Sequence, residues 1–246
     1  MLEIQNVTKH YGSRCALRKV SVSFPRGQIV GLFGENGAGK TTLMKCILNF
    51  LPHQGQVLLD GEPVSHKNIT RISFATGEHS FFPGLSAAGH RDFYEDHFPT
   101  FSRKRFDGLM EFFALPLHRP IGRFSTGQKN QFEVILALSQ GADYILMDEP
   151  FSGNDLFNRE DFYKVLLGIL EPHETVILST HLIEEVSGFV GRAVLIKGGE
   201  LLADVTADEL EEKGMSLVDY VKTSYGYRGD RVSHALNRIT GEEDAT

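Results

Sequence analysis

The spacing of apolar residues changes along the chain, and each change predicts an element. Residues 2–7 and 20–24 alternate apolar and polar, as half-buried strands do. Pro25, Arg26 and Gly27 form a turn, and the unbroken apolar run 29–33 reads as a buried strand. Leu43, Ile47 and Phe50 then sit at helical spacing, with Pro52 as the stop. Residues 56–60 before Gly61 read as a hairpin-like strand. From 83 to 119 strand signals vanish. Phe106, Leu109, Met110 and Phe113 there follow the i, i+3, i+4, i+7 rule, which predicts an amphipathic helix in a small helical insertion of about residues 84–138. Its last helix starts near Ser125 and carries Phe132, Ile135, Leu136 and Ser139 on one face. Residues 144–147 and 175–179 are two further buried strands. Between them lies a helix over 156–170, with Phe162, Leu166 and Ile169 inward and Pro172 as its stop. Residues 193–196 and 200–204 flank Gly198 and Gly199 as a hairpin, and short helices follow over 206–213 and 217–221. The fold class is α/β: a mixed parallel sheet, an N-terminal antiparallel β-subdomain and an inserted α-helical subdomain.

One stretch organises the chemistry. Residues 34–41 read G-E-N-G-A-G-K-T, a complete G-x-x-x-x-G-K-[ST] phosphate loop between the 29–33 strand and a helix. Gly34, Gly37 and Gly39 allow the tight turn that brings several backbone N–H groups onto one anion. Lys40 supplies a point charge for β- and γ-phosphates, and the Thr41 hydroxyl is a ligand for Mg²⁺. The helix that follows starts with its positive end at the phosphate.

Other positions support this reading to different degrees. Four apolar residues lead into Asp148 and Glu149, which places two carboxylates at the carboxyl end of a buried strand, where open α/β sheets hold their ligands. Asp148 is then a second Mg²⁺ ligand, and Glu149 can orient or deprotonate a water. The 175–179 strand delivers Thr180 and His181 in the same way, which favours His181 as a group at the catalytic edge over a structural histidine. Ser125 and Gln128 form an S-x-x-Q capping box. That is either only a well-capped helix, or a second helix amino end whose Ser-Thr-Gly lip receives a phosphate. Tyr11 fits both strand-edge packing and stacking on a base. His79, His90 and His97 lack the i, i+4 spacing of a zinc helix and read as solvated or locally bonded.

Composition narrows the classes. The 246 residues suffice for one large domain or two small ones. A net charge of −7 argues against general affinity for nucleic acid. Cys15 and Cys46 form no framework, and Cys46, on the helix after the phosphate loop, reads as a buried reduced thiol. No signal-peptide pattern precedes the first strand, and no apolar run approaches the roughly 18 residues that span a bilayer. The expectation is a soluble cytoplasmic protein whose membrane work needs a partner.

The order phosphate loop, helical insertion, F-S-T-G-Q, I-L-M-D-E-P, S-G-N-D, S-T-H resembles the ATP-binding subunits of ABC transporters, over residues 2–204. It is most similar to the single-domain bacterial subunits of export-type systems, which pair with separate membrane subunits. The resemblance implies a P-loop NTPase core in an ATP-binding domain over 1–214, with a C-terminal extension over 215–246. It implies ATP and Mg²⁺ as the bound species, and stacking of adenine on Tyr11. The Walker A loop would comprise Gly34, Asn36, Gly37, Ala38, Gly39, Lys40, Thr41 and Thr42, with Thr41 and Asp148 on the metal. Ser125, Thr126, Gly127 and Gln128 would be the signature that grips the γ-phosphate of ATP held by the opposite subunit. Glu149 would be the catalytic carboxylate, Lys40 the charge on the phosphates, and His181 the switch histidine. Ser152, Gly153, Asn154 and Asp155 would be the D-loop, with Asn154 where leucine is commoner. The implied partners are integral membrane transporter subunits and a second ATP-binding subunit, identical or a sister chain, at the cytoplasmic face of the membrane. One position departs from the pattern: the glutamine of the Q-loop falls at Gly77, which has no side chain to hold a metal or a water. Glu78 replaces it only if the loop shifts by one residue.

Two other classes fit parts of the sequence. A nucleotide-gated binding module without transport would bring a long coiled coil or a tandem second domain, and neither pattern is present. A kinase would need an acceptor site, and none is evident.

Overall fold

The computed structural model describes residues 1–150 and 156–227. Two sheets carry the fold. The first is antiparallel, in the order β2-β1-β4-β5, from β1 (Leu2–Tyr11), β2 (Arg14–Phe24), β4 (Gln54–Leu59) and β5 (Glu62–Pro63). The second has the order β10-β9-β3-β8-β7-β6. Its strands are β3 (Ile29–Phe33), β6 (Ile72–Thr76), β7 (Tyr144–Asp148), β8 (Thr175–Ser179), β9 (Arg192–Lys197) and β10 (Glu200–Thr206). All of its neighbours run parallel except the β9–β10 hairpin. The predicted mixed sheet and N-terminal antiparallel sheet are both present.

The continuous apolar runs have a simple cause: both faces of the parallel sheet are covered. Val30, Leu32, Leu146, Ile177 and Val194 pack on one side against the antiparallel sheet and α1 (Lys40–Ile47). Ile29, Phe33, Ile145, Met147, Val176 and Leu178 face the other way. There they meet residues of α3 (Arg103–Phe112), α4 (Thr126–Ser139) and α5 (Leu156–Ile169). The insertion begins with α2 (Ala87–His97). After β8 come α6 (Ile183–Val186), α7 (Ala207–Glu212) and α8 (Leu217–Ser224). Tyr144, inside a run read as apolar, uses its hydroxyl to join the sheets. It accepts from Leu2 N–H at 3.0 Å and donates to the Phe24 carbonyl at 2.9 Å.

One expectation is corrected. Phe50 is not on the inner face of α1. The helix ends at Ile47, Asn49 takes a left-handed φ of 59°, and Phe50 is 64% exposed. Phe50 N–H reaches the Lys45 carbonyl (2.9 Å) and Asn49 N–H that of Cys46 (3.0 Å). This paired closure stops the helix before Pro52 is reached. The other helical stripe holds: Phe106, Leu109 and Met110 are buried, and Phe113 packs against the same core. Cys46 is buried and free, and burial pushes its thiol up to about 11.

Candidate functional site

Strands β3, β8 and β7 are neighbours and parallel, so the chain leaves all three at the same edge of the sheet. The loop after β3 turns into α1 through glycines that the geometry requires. Gly39 has φ +115°, and a Cβ there would lie 2.9 Å from the Ala16 carbonyl oxygen. A Cβ on Gly34 would lie 2.6 Å from the Ile196 carbonyl oxygen. Gly39 offers no side-chain cap, so the amino end of α1 presents backbone N–H groups to the cleft beside it. That cleft, about 230 Å³, is lined by Tyr11, Arg14, Ala16, Asn36, Gly37, Gly39, Lys40, Thr41, Thr42, Asp148 and Glu149. Lys40 is buried, and its ammonium donates to the Gly34 (2.7 Å) and Glu35 (3.3 Å) carbonyls of the loop.

The carboxylates come from the end of β7. Asp148 accepts the Thr41 hydroxyl at 2.6 Å and the Ser179 hydroxyl at 2.5 Å. Hydroxyl and carboxylate oxygens thus converge at one point, the hard donor set that suits Mg²⁺ completed by phosphate oxygens. Glu149 leaves the strand with a left-handed φ of 48°, a conformation that costs a non-glycine residue about 1–2 kcal/mol. Its N–H is held by the Ser179 carbonyl at 3.0 Å. The turn sends its carboxylate to His181, whose Nδ1 lies 3.0 Å away.

Ser125, Thr126, Gly127 and Gln128, the expected signature, lie elsewhere. Ser125 caps α4 in the predicted reciprocal box: its Oγ accepts from Gln128 N–H (3.2 Å), and the Gln128 side chain accepts from Ser125 N–H (3.0 Å). Ser125 and Thr126 are exposed, and none of Ser125, Gly127 and Gln128 lines the cleft. Ala38 is buried beneath the loop rather than lining the cleft. Glu78 is 72% exposed and pairs with Lys45 of α1 at 2.6 Å, and neither Gly77 nor Glu78 lines the cleft. The D-loop residues Ser152, Gly153, Asn154 and Asp155 lie outside the described residues. His90 and His97 bond locally, to the Ser86 and Phe93 carbonyls.

Comparison with known proteins decides the family. The family model described as "ABC transporter" matches residues 17–152, more than half of the chain. The chain belongs to the ABC transporter family. It is an ATP-binding subunit, and its reaction is that of such ATPases: ATP and water to ADP and phosphate. Similar proteins include the SkfA peptide export ATP-binding protein SkfE of Bacillus subtilis (strain 168), 28% identical and covering 87% of this chain and 92% of that protein. The lipopolysaccharide export system ATP-binding protein LptB of Haemophilus influenzae is 29% identical, over 85% of this chain and 92% of its own length. Among solved structures, an ATP-binding subunit of an ABC transporter superposes with a TM-score of 0.80 at 21% identity, over 92% of this chain and 98% of that one. The dimeric post-hydrolysis cassette MJ0796, bound to ADP and Pi, gives 0.72 at 24% identity, over 84% and 98%. At these identities the superpositions speak for the ABC cassette fold. No helix among the described residues is long and apolar enough to cross a membrane.

The structure adds two groups to this cassette's site. Arg14 pairs with Tyr11 across the β1–β2 hairpin and lines the cleft, with its guanidinium 3.5 Å from where a Cβ on Gly37 would lie. The hairpin turn at Gly12, which folds residue 14 back beside residue 11, was the available signal. Ser179 holds Asp148 from the neighbouring strand. Its position opposite Asp148 appears only when β7 and β8 are aligned in register.

Proposed function

We propose that this ATPase works as half of a head-to-tail pair that closes on two ATP molecules and drives separate membrane subunits of an export-type transporter. The observation that carries the pairing is the position of Ser125. It is exposed at the amino end of a fourteen-residue helix, and it does not line its own chain's cleft. A phosphate at that lip would come from a second copy. ATP then becomes part of the interface and favours the closed pair by binding it better than the lone subunit. Export as the direction rests on relatives such as SkfE and LptB, whose names place them in export systems.

Within the cleft, backbone N–H groups of residues 37–42 and the Lys40 ammonium bind the phosphates, and the Tyr11 ring offers a face to adenine. Thr41 and Asp148 would hold Mg²⁺, which offsets the charge on the β- and γ-phosphate oxygens. Glu149 orients a water and takes its proton as the oxygen attacks the γ-phosphorus and the bond to the bridging oxygen of the departing ADP breaks, and His181 steadies the Glu149 carboxylate and the γ-phosphate. The exposed Phe82 and the neighbouring helical insertion form the face offered to the membrane subunits.

Phosphate release from Glu149→Gln tests the chemical assignment. The variant should bind ATP and turn over roughly 10²–10⁴-fold more slowly. Release at the wild-type rate would remove Glu149 from its role.

A further inference from the structure

A buried carboxylate in the insertion has no part in the scheme above. Glu133, on α4, is 2% exposed. Its Oε1 accepts both the N–H (2.9 Å) and the hydroxyl (2.5 Å) of Ser80, while Oε2 is buried without a hydrogen-bond partner among the described residues. Ser80 belongs to the loop that leaves β6 after Thr76, and Thr76 stands in register with Asp148. The far end of that loop is also fastened. Phe82 N–H donates to His90 Nε2 at 2.9 Å, and His90 Nδ1 lies 2.8 Å from the Ser86 carbonyl. Both bonds are made together only by a neutral ring protonated at Nδ1, and burial lowers its pKa accordingly. The rings of Phe81 and His90 pack edge-on against Phe132, next to Glu133 on α4.

We infer that the Glu133–Ser80 junction is the joint that ties the loop beside the nucleotide cleft to the signature helix, making Glu133 a positioning residue for Ser125. The path is continuous. Asp148 is in register with Thr76, the chain runs four residues to Ser80, Ser80 is bonded to Glu133, and α4 runs from there to its cap at Ser125. Glu133 lies eight residues along α4 from Ser125, about 12 Å of a rigid rod. A displacement of the loop at Ser80 is therefore delivered at the lip. The inference rests on the reading that Ser125 serves a partner's γ-phosphate.

The joint carries a built-in pH dependence. Burial pushes Glu133 up to about 7, although the two Ser80 bonds pull the other way. The ionisable groups nearest the joint include Tyr94 and His90 of α2, His79 beside Ser80, and Lys129 one turn earlier on α4. Tyr94 is pushed up to about 12 by burial and by Glu133. His79 is lowered by burial and Lys129.

The test is steady-state ATP hydrolysis by the full chain between pH 6 and 8.5, with Glu133→Ala and Glu133→Gln. Glu133→Ala should lower kcat at least tenfold with KM for ATP within twofold, because the cleft is intact and the lip is misplaced. Glu133→Gln keeps an acceptor for Ser80, so it should restore kcat to within about threefold and abolish the inflection near pH 7. Wild-type kcat in Glu133→Ala, or a raised KM with unchanged kcat, overturns the inference. If Glu133→Ala does not fold, Glu133→Gln decides alone, and persistence of the wild-type inflection overturns it. Combining Glu133→Ala with Glu149→Gln separates the two readings. If Glu149→Gln alone stays monomeric in ATP, the pairing reading fails. If the single and double variants pair at the same ATP concentration, only the joint fails.

Discussion

The nucleotide cleft and the lip of the signature helix are both helix amino ends that present polar groups, yet they are built in opposite ways. At the cleft, groups from three parts of the chain hold one another: Lys40 on the loop carbonyls, Thr41 and Ser179 on Asp148, Glu149 on His181. At the lip, the side chains of Ser125 and Gln128 bond to each other's backbone N–H groups, and Ser125 remains exposed. A site whose members converge can bind its ligand within one subunit. A lip that meets no converging group among the described residues has use for a ligand brought by another molecule. Strain follows the same division: Glu149 adopts a left-handed backbone at the cleft, whereas Ser125 sits in ordinary extended geometry.

The strongest way to break this contrast is Lys40→Ala. It removes the ammonium from a buried position, and hydrolysis should fall by roughly 10²–10³. Activity within tenfold of wild type, measured by phosphate release, would mean that the cleft does not depend on its convergent charge. Next in size is the stability linked to Glu133, which lies between the two regions. Its folded pKa of about 7 stands above the ordinary 4.5. The folded state therefore retains a proton that the unfolded state has lost across that window. Stability should be highest below about pH 4.5 on this account, fall by about 3 kcal/mol as pH rises to about 7, and level off above. Denaturant titrations should show that fall relative to Glu133→Gln, and parallel curves for the two proteins would refute it. Third is Ser125→Arg, which should lower kcat about 30-fold through failed closure and cost about 1 kcal/mol of helix capping. Its ATP affinity, read by a fluorescent nucleotide, should stay within threefold; a large loss there would mean the lip serves its own cleft. Smallest is Tyr11→Ala, which should weaken ATP binding roughly five- to tenfold, while Tyr11→Phe leaves it unchanged. Equal loss in both would point to the hydroxyl rather than the ring face.

The cleft was legible in the sequence because its chemistry is local. Residues 34–41 make their own turn, and Asp148 and Glu149 are placed by the apolar run before them. The capping box at Ser125 was legible for the same reason, since its two partners are three residues apart. What the sequence hid is long-range. Ser179 meets Asp148 through strand register across 31 residues. Glu133 meets Ser80 across 53, from a position on α4 outside the predicted stripe of Phe132, Ile135, Leu136 and Ser139. Arg14 enters the cleft only once the hairpin folds back on Tyr11. The end of α1 was misplaced because Pro52 is the louder stop signal, while the chain in fact turns through the left-handed Asn49.

Sedimentation of Glu149→Gln over a range of ATP concentrations shows whether two copies close on the nucleotide. The expected result is a shift from monomer to dimer that follows ATP occupancy and is abolished by adding Ser125→Arg. A chain that remains monomeric at saturating ATP, or a dimer indifferent to Ser125→Arg, would contradict it.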